Sequence, residues 1–393
     1  MKIIQYGAGN IGRSLVGQLF SHAGWEVVFV DIDTVVIDAL NREKRYRIRV
    51  KEAHESEIQV TGVRGVHGTE TEKVISEIAT CDLLSTAVGP ATLPRIAPVI
   101  AQGLAQRDHP LNILLCENLR GAPEIVRDAL MKALPADFPV HERAGLIATS
   151  IGKMVPIMPS EVRERDPLEV WAEAYNRIVA DRNGFIGPIP EVPGLVVRGC
   201  FEAYVDQKLF VHNLGHATAA YHGDLAGCKT IAEAMKIPAI LRSTRGAMEE
   251  SGRALVRLYS QELTETDMQE HITDLCQRFG NQALGDTVFR VGRDRPRKYA
   301  PNDRLMGAIK AQHKAGIETT FTVEAAAAGI LFSATDEKGE RHPGDVAFEQ
   351  FHQEQGVQRL LQHYSGLSPE DPFDREIIEQ IEDRLESHRS SRG

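Results

Sequence analysis

Residues 204–227 read YVDQKLFVHNLGHATAAYHGDLAG, a run of apolar and small side chains interrupted by Lys208, Asn213 and His216. Polar groups in such a setting are costly unless they are satisfied, so three together point to a pocket wall. A lysine, an amide and an imidazole can serve one reacting oxygen. The lysine takes the hydroxyl proton of an alcohol, and the other two donate to the developing alkoxide while hydride leaves for an acceptor. No metal is required. A free ammonium near pKa 10.4 keeps its proton, so the base role needs desolvation, which Leu209, Phe210, Val211 and Leu214 can supply. In a helix Asn213 and His216, three apart, share a face, and Lys208, five before Asn213, is modestly offset, so all three can line one pocket. Each residue alone has a plainer reading: a snorkelling lysine, a helix cap, a satisfied core histidine.

A hydride acceptor is suggested at the other end of the chain. Gly7, Gly9 and Gly12 in YGAGNIG form GxGxxG, with Asn10 and Ile11 inside the turn. The motif alone is weak, because a glycine turn that only packs a sheet reads the same way. Here it follows the apolar run KIIQY and opens a helix, so a tight turn, close approach to a pyrophosphate and the helix N-terminus coincide. The next apolar run, EVVFVD, ends at Asp31, nineteen residues after Gly12. A carboxylate there meets ribose hydroxyls and repels a 2′-phosphate, which favours NAD over NADP. Arg13 keeps NADP open, and Asp33 is a weaker substitute for Asp31.

These residues need elements to hold them. KIIQY, EVVFVD, DLLSTAV, NILLC and GLIATS are apolar throughout and alternate with helical patterns, as in a doubly wound parallel sheet covered on both faces. Residues 45–65 alternate apolar and polar side chains, which predicts a small antiparallel insertion. The Gly/Pro-rich stretch NGFIGPIPEVPGL, residues 183–195, marks a boundary. We therefore expect an α/β chain, with a Rossmann-type domain over residues 1–195 and a mostly α-helical catalytic domain over residues 196–393. An amphipathic helix with a frayed polar end closes the sequence.

Composition bounds the function. The 393 residues carry a net charge of −10 and a pI near 5.8, which argues against a nucleic-acid partner. The five cysteines are scattered, with no CxxC pair, so neither a disulfide framework nor a zinc site is indicated. The chain opens directly on a strand-like run, and no apolar run approaches a membrane span, so a cytoplasmic protein is expected.

GAGNIG, CENLRGA at residues 116–122, KLFVHNLGHATAAYHGDLAG, RGAMEESG, and FRVGRDRPRK followed by DRL resemble, in order and over nearly the whole chain, the polyol-specific long-chain dehydrogenases, the mannitol dehydrogenase family. The resemblance implies that Lys208 is the general base, that Asn213 and His216 polarise the reacting oxygen, and that Asn118 in CENLRGA joins them. It further implies NAD as cofactor, a monomer, and interconversion of D-mannitol 1-phosphate and D-fructose 6-phosphate. Arg290, Arg293, Arg297 and Lys298, with Arg295 among them, are candidates to clamp the phosphate; a solvated basic face is the plainer alternative. Arg242 and Arg245 form a second basic possibility. One departure stands out: Gly152 and Lys153 occupy the place of an Asp-Arg pair usual in the family, which keeps a free polyol or a hexuronate open as substrate. A dinucleotide-sensing module without catalysis is the reading from another class.

Overall fold

The computed structural model describes residues 1–52, 54–156 and 158–390, and the chain divides into two compact units, Met1–Phe201 and Glu202–Gly393.

The first unit contains eleven strands among the described residues: β1 (Lys2–Tyr6), β2 (Glu26–Asp31), β3 (Arg45–Val50), β4 (Ser56–Thr61), β5 (Val63–His67), β6 (Leu83–Thr86), β7 (Leu111–Leu115), β8 (Ala144–Ser150), β9 (Val170–Ala172), β10 (Ile178–Asp181) and β11 (Leu195–Arg198). Eight form one sheet in the order β11-β10-β8-β7-β6-β1-β2-β5. All neighbours are parallel except β10 against β8. The sheet is buried on both sides because its apolar runs do not alternate. Ile3 and Phe29 pack into one core with Leu15, Phe20 and Tyr46, while Ile4 and Val28 pack into another with Ile100, Leu104 and Val126. This is the doubly wound α/β arrangement, and its carboxyl edge is where such sheets place ligands.

Two features depart from the expectation. The insertion pairs β3 with β4 antiparallel, and β9 adds to it in parallel, but the chain leaves it earlier than the alternation suggests. Val63 already belongs to β5 and the main sheet, where Gly65 sits against the Ile37 side chain with no room for a Cβ. The Gly/Pro-rich stretch, likewise, is a link between β10 and β11, which pair in parallel and belong to the first unit.

The second unit is helical. Its central rod runs through helix Phe201–Gln207, a π-helical stretch Lys208–Asn213 and helix Leu214–Leu225. Glycines and alanines let neighbours approach this rod closely: a Cβ on Gly215 would lie 2.4 Å from Met248 Sδ, on helix Pro238–Leu258. Helices Glu265–Phe279, Thr320–Ile330, Pro343–Ser365 and Pro372–Ser390 are the other long helices of this unit, with shorter ones such as Met306–Lys314 among them. The last residues of the expected polar end, 391–393, lie outside the described residues. No helix among the described residues is long and apolar enough to cross a membrane.

Candidate active site

In the first unit the glycine turn is built as a cradle. Gly7 has φ +97°, which favours glycine, and a Cβ there would meet Ala87 O at 2.4 Å. A Cβ on Gly12 would lie 2.1 Å from Gly7 O, so the helix start can close against the turn only without one. Gly9, in contrast, has nothing within 4 Å of its Cβ position; the turn is crowded on the protein side and open at its tip. From within β1, the buried Gln5 amide donates to the carbonyls of Tyr6 and Gly7 at 2.8 and 3.1 Å. The helix begins at Asn10 and winds as π over Gly12–Gly17, and Ile11 packs on the core.

Asp31 ends β2 beside this turn. Its Oδ2 accepts from Ala8 N at 2.6 Å and its Oδ1 from Asp33 N at 3.0 Å. Asp33 is used as a helix cap, accepting from Val36 N at 3.2 Å. Arg13, which kept a 2′-phosphate in play, is buried and turned inwards: Nε donates to Ala8 O at 2.7 Å and a terminal nitrogen to Pro167 O at 2.9 Å. Asn118 is exposed just past the carboxyl end of β7. Beside it Glu117 accepts from Val88 N and Gly89 N at 2.9 and 2.8 Å, fixing the loop after β6. Where the Asp-Arg pair is missing, the Lys153 ammonium donates to Tyr175 O at 2.7 Å, and Met154 N donates to the buried Glu173 carboxylate.

In the second unit the π winding changes the spacing argument. An α-helix turns every 3.6 residues, so Lys208 and Asn213 would point about 140° apart. With hydrogen bonds closing on the fifth residue, the π stretch Lys208–Asn213 sets them one turn apart on one side. His216 follows three residues later on the α-helix. None of the three has the plainer role that its type allows. Burial pushes the partly buried Lys208 amine down to about 8, and the Arg304 guanidinium adds to this. Asn213 makes no capping hydrogen bond. Burial holds the His216 imidazole neutral, with a pKa near 3, helped by Arg290, Arg304, Lys298 and Arg278. Its ring stacks on Phe279 at 4.6 Å, and Nε2 lies 3.5 Å from Asp286 Oδ2 without making a hydrogen bond.

The basic segment sorts into distinct roles. Arg295 is a core residue: fully buried, it meets Asp345 Oδ1 at 3.2 Å and donates to the Ile330 and Asp345 carbonyls at 2.9 and 2.7 Å. Lys298 is also buried and donates to Arg293 O, and desolvation, then Arg304 and Arg297, bring its pKa to about 7. Arg290 pairs with Asp286 next to His216. Arg293 is exposed over the Phe289 ring, and the exposed Arg297 pairs with Asp294 at 2.7 Å. Arg242 is exposed and Arg245 pairs with Glu249 at 2.8 Å. The residue that the sequence reading passed over is Arg304. It is buried, held by Asp303 Oδ1 at 2.8 Å, and acts on Lys208, His216 and Lys298 together. Its only sequence signal is its place in the DRL triplet.

A Rossmann-type unit with this turn, joined to a helical unit with a desolvated lysine, defines a dinucleotide-dependent oxidoreductase in two parts. Family comparison gives the particular lineage: residues 1–194 match the mannitol dehydrogenase Rossmann domain and residues 201–387 the mannitol dehydrogenase C-terminal domain, so the chain belongs to the mannitol dehydrogenase family. Among solved structures it is similar to a Pseudomonas fluorescens mannitol 2-dehydrogenase in ternary complex with NAD and D-mannitol, at 16% identity and TM-score 0.73, covering 99% of this chain and 92% of that one. A substrate-free D-sorbitol dehydrogenase is similar at 14% identity and TM-score 0.73, covering 96% and 94%.

Proposed function

We propose that the protein is an NAD-dependent dehydrogenase that interconverts D-mannitol 1-phosphate and D-fructose 6-phosphate, with Lys208 as the base. The observation that carries the chemistry is the π winding that sets Lys208 and Asn213 one turn apart, with His216 next along. The open tip at Gly9 and the helix start at Asn10 suit a pyrophosphate, and Asp31 suits ribose hydroxyls. When bound there, NAD supplies the acceptor for the hydride that leaves the carbinol carbon.

The rest falls to side chains. In oxidation, the neutral Lys208 amine accepts the hydroxyl proton; in reduction its ammonium returns a proton to the carbonyl oxygen. The Asn213 amide donates to the same oxygen, and so does the neutral His216 ring through its otherwise unpartnered Nε2. Asn118 is assigned as a further donor. Arg304 acts on both Lys208 and His216 and belongs with the reacting end. Arg290 and Lys298 act on His216, and we assign the phosphate to them, with the exposed Arg293 and Arg297 beside them. A dianion next to Lys298 would restore the charge that burial weakens.

A related reading, a free polyol or hexuronate as substrate, draws on Gly152-Lys153, since Lys153 is occupied with Tyr175 O. Following NADH absorbance with fructose 6-phosphate, fructose and hexuronates separates the two. Turnover confined to fructose 6-phosphate is expected; turnover only with an unphosphorylated sugar overturns the phosphate assignment.

A further inference from the structure

The first unit holds a cavity of about 540 Å³ that the dehydrogenase reading does not use. It lies among the end of helix Thr34–Glu43, strands β3 and β4, and residues 165–168. Its apolar lining is Ala39, Tyr46 and Leu168, all buried. Around them stand Arg42, Arg45, Arg47 and Arg165, against the carboxylates of Glu43 and Asp166. Four guanidinium groups line the cavity with two carboxylates, and a third carboxylate, Glu57, reaches Arg47 from outside the lining, in a chain whose net charge is −10.

The pairing shows which charges are in surplus. Arg42 meets Glu43 at 3.0 Å and Arg47 meets both Asp166 at 3.1 Å and Glu57 at 3.6 Å, whereas the Arg45 and Arg165 side chains have no hydrogen bond or ion pair among the described residues. Two unpaired arginines on one cavity are an anion receptor of the bidentate kind. The volume is within the range of pockets that hold small organic ligands.

We propose that this cavity is a second anion site, taking a phosphate-bearing small molecule whose two negative charges match Arg45 and Arg165. A phosphoryl group concentrates close to two charges on one centre near neutral pH, and it offers three acceptor oxygens to the guanidinium forks. None of the glycine-turn residues, Gly7 to Gly12, lines the cavity. It is nevertheless connected to that turn by hydrogen bonds. Tyr46 Oη, on the cavity wall, donates to Arg13 O at 2.6 Å, and Pro167 O accepts from Arg13, whose Nε holds Ala8 O.

Inorganic pyrophosphate titrated calorimetrically into the full chain saturated with NADH, so that the dinucleotide site is blocked, tests the proposal. We expect a saturable site that weakens at least tenfold in Arg45→Ser/Arg165→Ser and persists in Lys298→Met, which removes a cation of the second unit. Arg45→Lys/Arg165→Lys, keeping charge but losing the forks, should fall between. Both arginines are exposed, so an unchanged thermal midpoint is expected in each double variant. Undiminished binding in the serine variant, loss of the site in Lys298→Met alone, or absence of saturable binding in the native chain overturns it. Malonate binding as tightly as pyrophosphate overturns the phosphate class.

Discussion

Lys208 and Asn213 stand five residues apart and yet one helical turn apart, because the chain between them is wound as π. Such turns are rare inside α-helices and are often found at functional sites. If the amide serves the reacting oxygen, Asn213→Ala removes one preorganised donor and should lower kcat about 10²- to 10³-fold, the range found for the loss of such donors. Steady-state kinetics checks this, with KM for the sugar moving far less than kcat. A change in KM alone would place Asn213 in ground-state binding.

If Lys208 is the base, the two directions should show opposite pH dependence. Its amine titrates at about 8, below the ordinary lysine value. Oxidation needs the neutral amine, so its kcat should rise as pH increases through about 8; reduction needs the ammonium and should fall over the same interval. Rates measured between pH 6 and 10 in both directions read this. His216, neutral throughout that range, adds no second inflection.

Asp31 has two tasks, holding Ala8 N and presenting a carboxylate at the end of β2. Asp31→Ser should therefore raise KM for NAD about tenfold, equivalent to ~1.4 kcal/mol, while improving the NADP-to-NAD ratio of kcat/KM by at least as much. Arg13, committed to Ala8 O and Pro167 O, gives a 2′-phosphate no cation, so NADP should remain a poor cofactor even then. Initial rates with both cofactors test it.

The basic segment depends on Asp345. This carboxylate accepts from Asp294 N at 3.0 Å and from Arg295 N at 2.7 Å as well as pairing with the buried Arg295 side chain. Asp345→Ala strands that guanidinium, a loss of about 3–5 kcal/mol. Urea unfolding should show a marked drop in midpoint, and, if the basic segment holds a substrate phosphate, the variant should bind fructose 6-phosphate more weakly because Lys298 loses its anchored neighbours.

Much of this molecule is legible in its sequence because apolar runs and glycines act locally. The runs that become β1, β2, β6, β7 and β8 read directly, as does the glycine turn, since burial on both faces leaves no polar alternation. Strands as short as β9 and β10 do not, being three and four residues fixed by pairing partners far along the chain. For the proposed site, each of Lys208, Asn213 and His216 alone reads more plainly, and the family resemblance is what singles them out; the π winding between the first two carries no signature in their types or spacing. Arg304 is silent in sequence because one arginine looks like another; only burial beside Lys208 distinguishes it. A count of charges in the basic segment cannot show which of them are internal: Arg295 is a core residue paired with Asp345, and Arg297 pairs with Asp294.

The most direct test of the account is Lys208→Ala, with turnover and NADH binding measured on the same preparation at pH 9 in the oxidation direction, using the sugar alcohol that the native chain turns over fastest. Loss of the base should lower kcat about 10²- to 10⁴-fold, with the NADH dissociation constant within about twofold of native, since the dinucleotide turn lies in the other unit. Turnover that survives the substitution undiminished would contradict the lysine base and the site built around it.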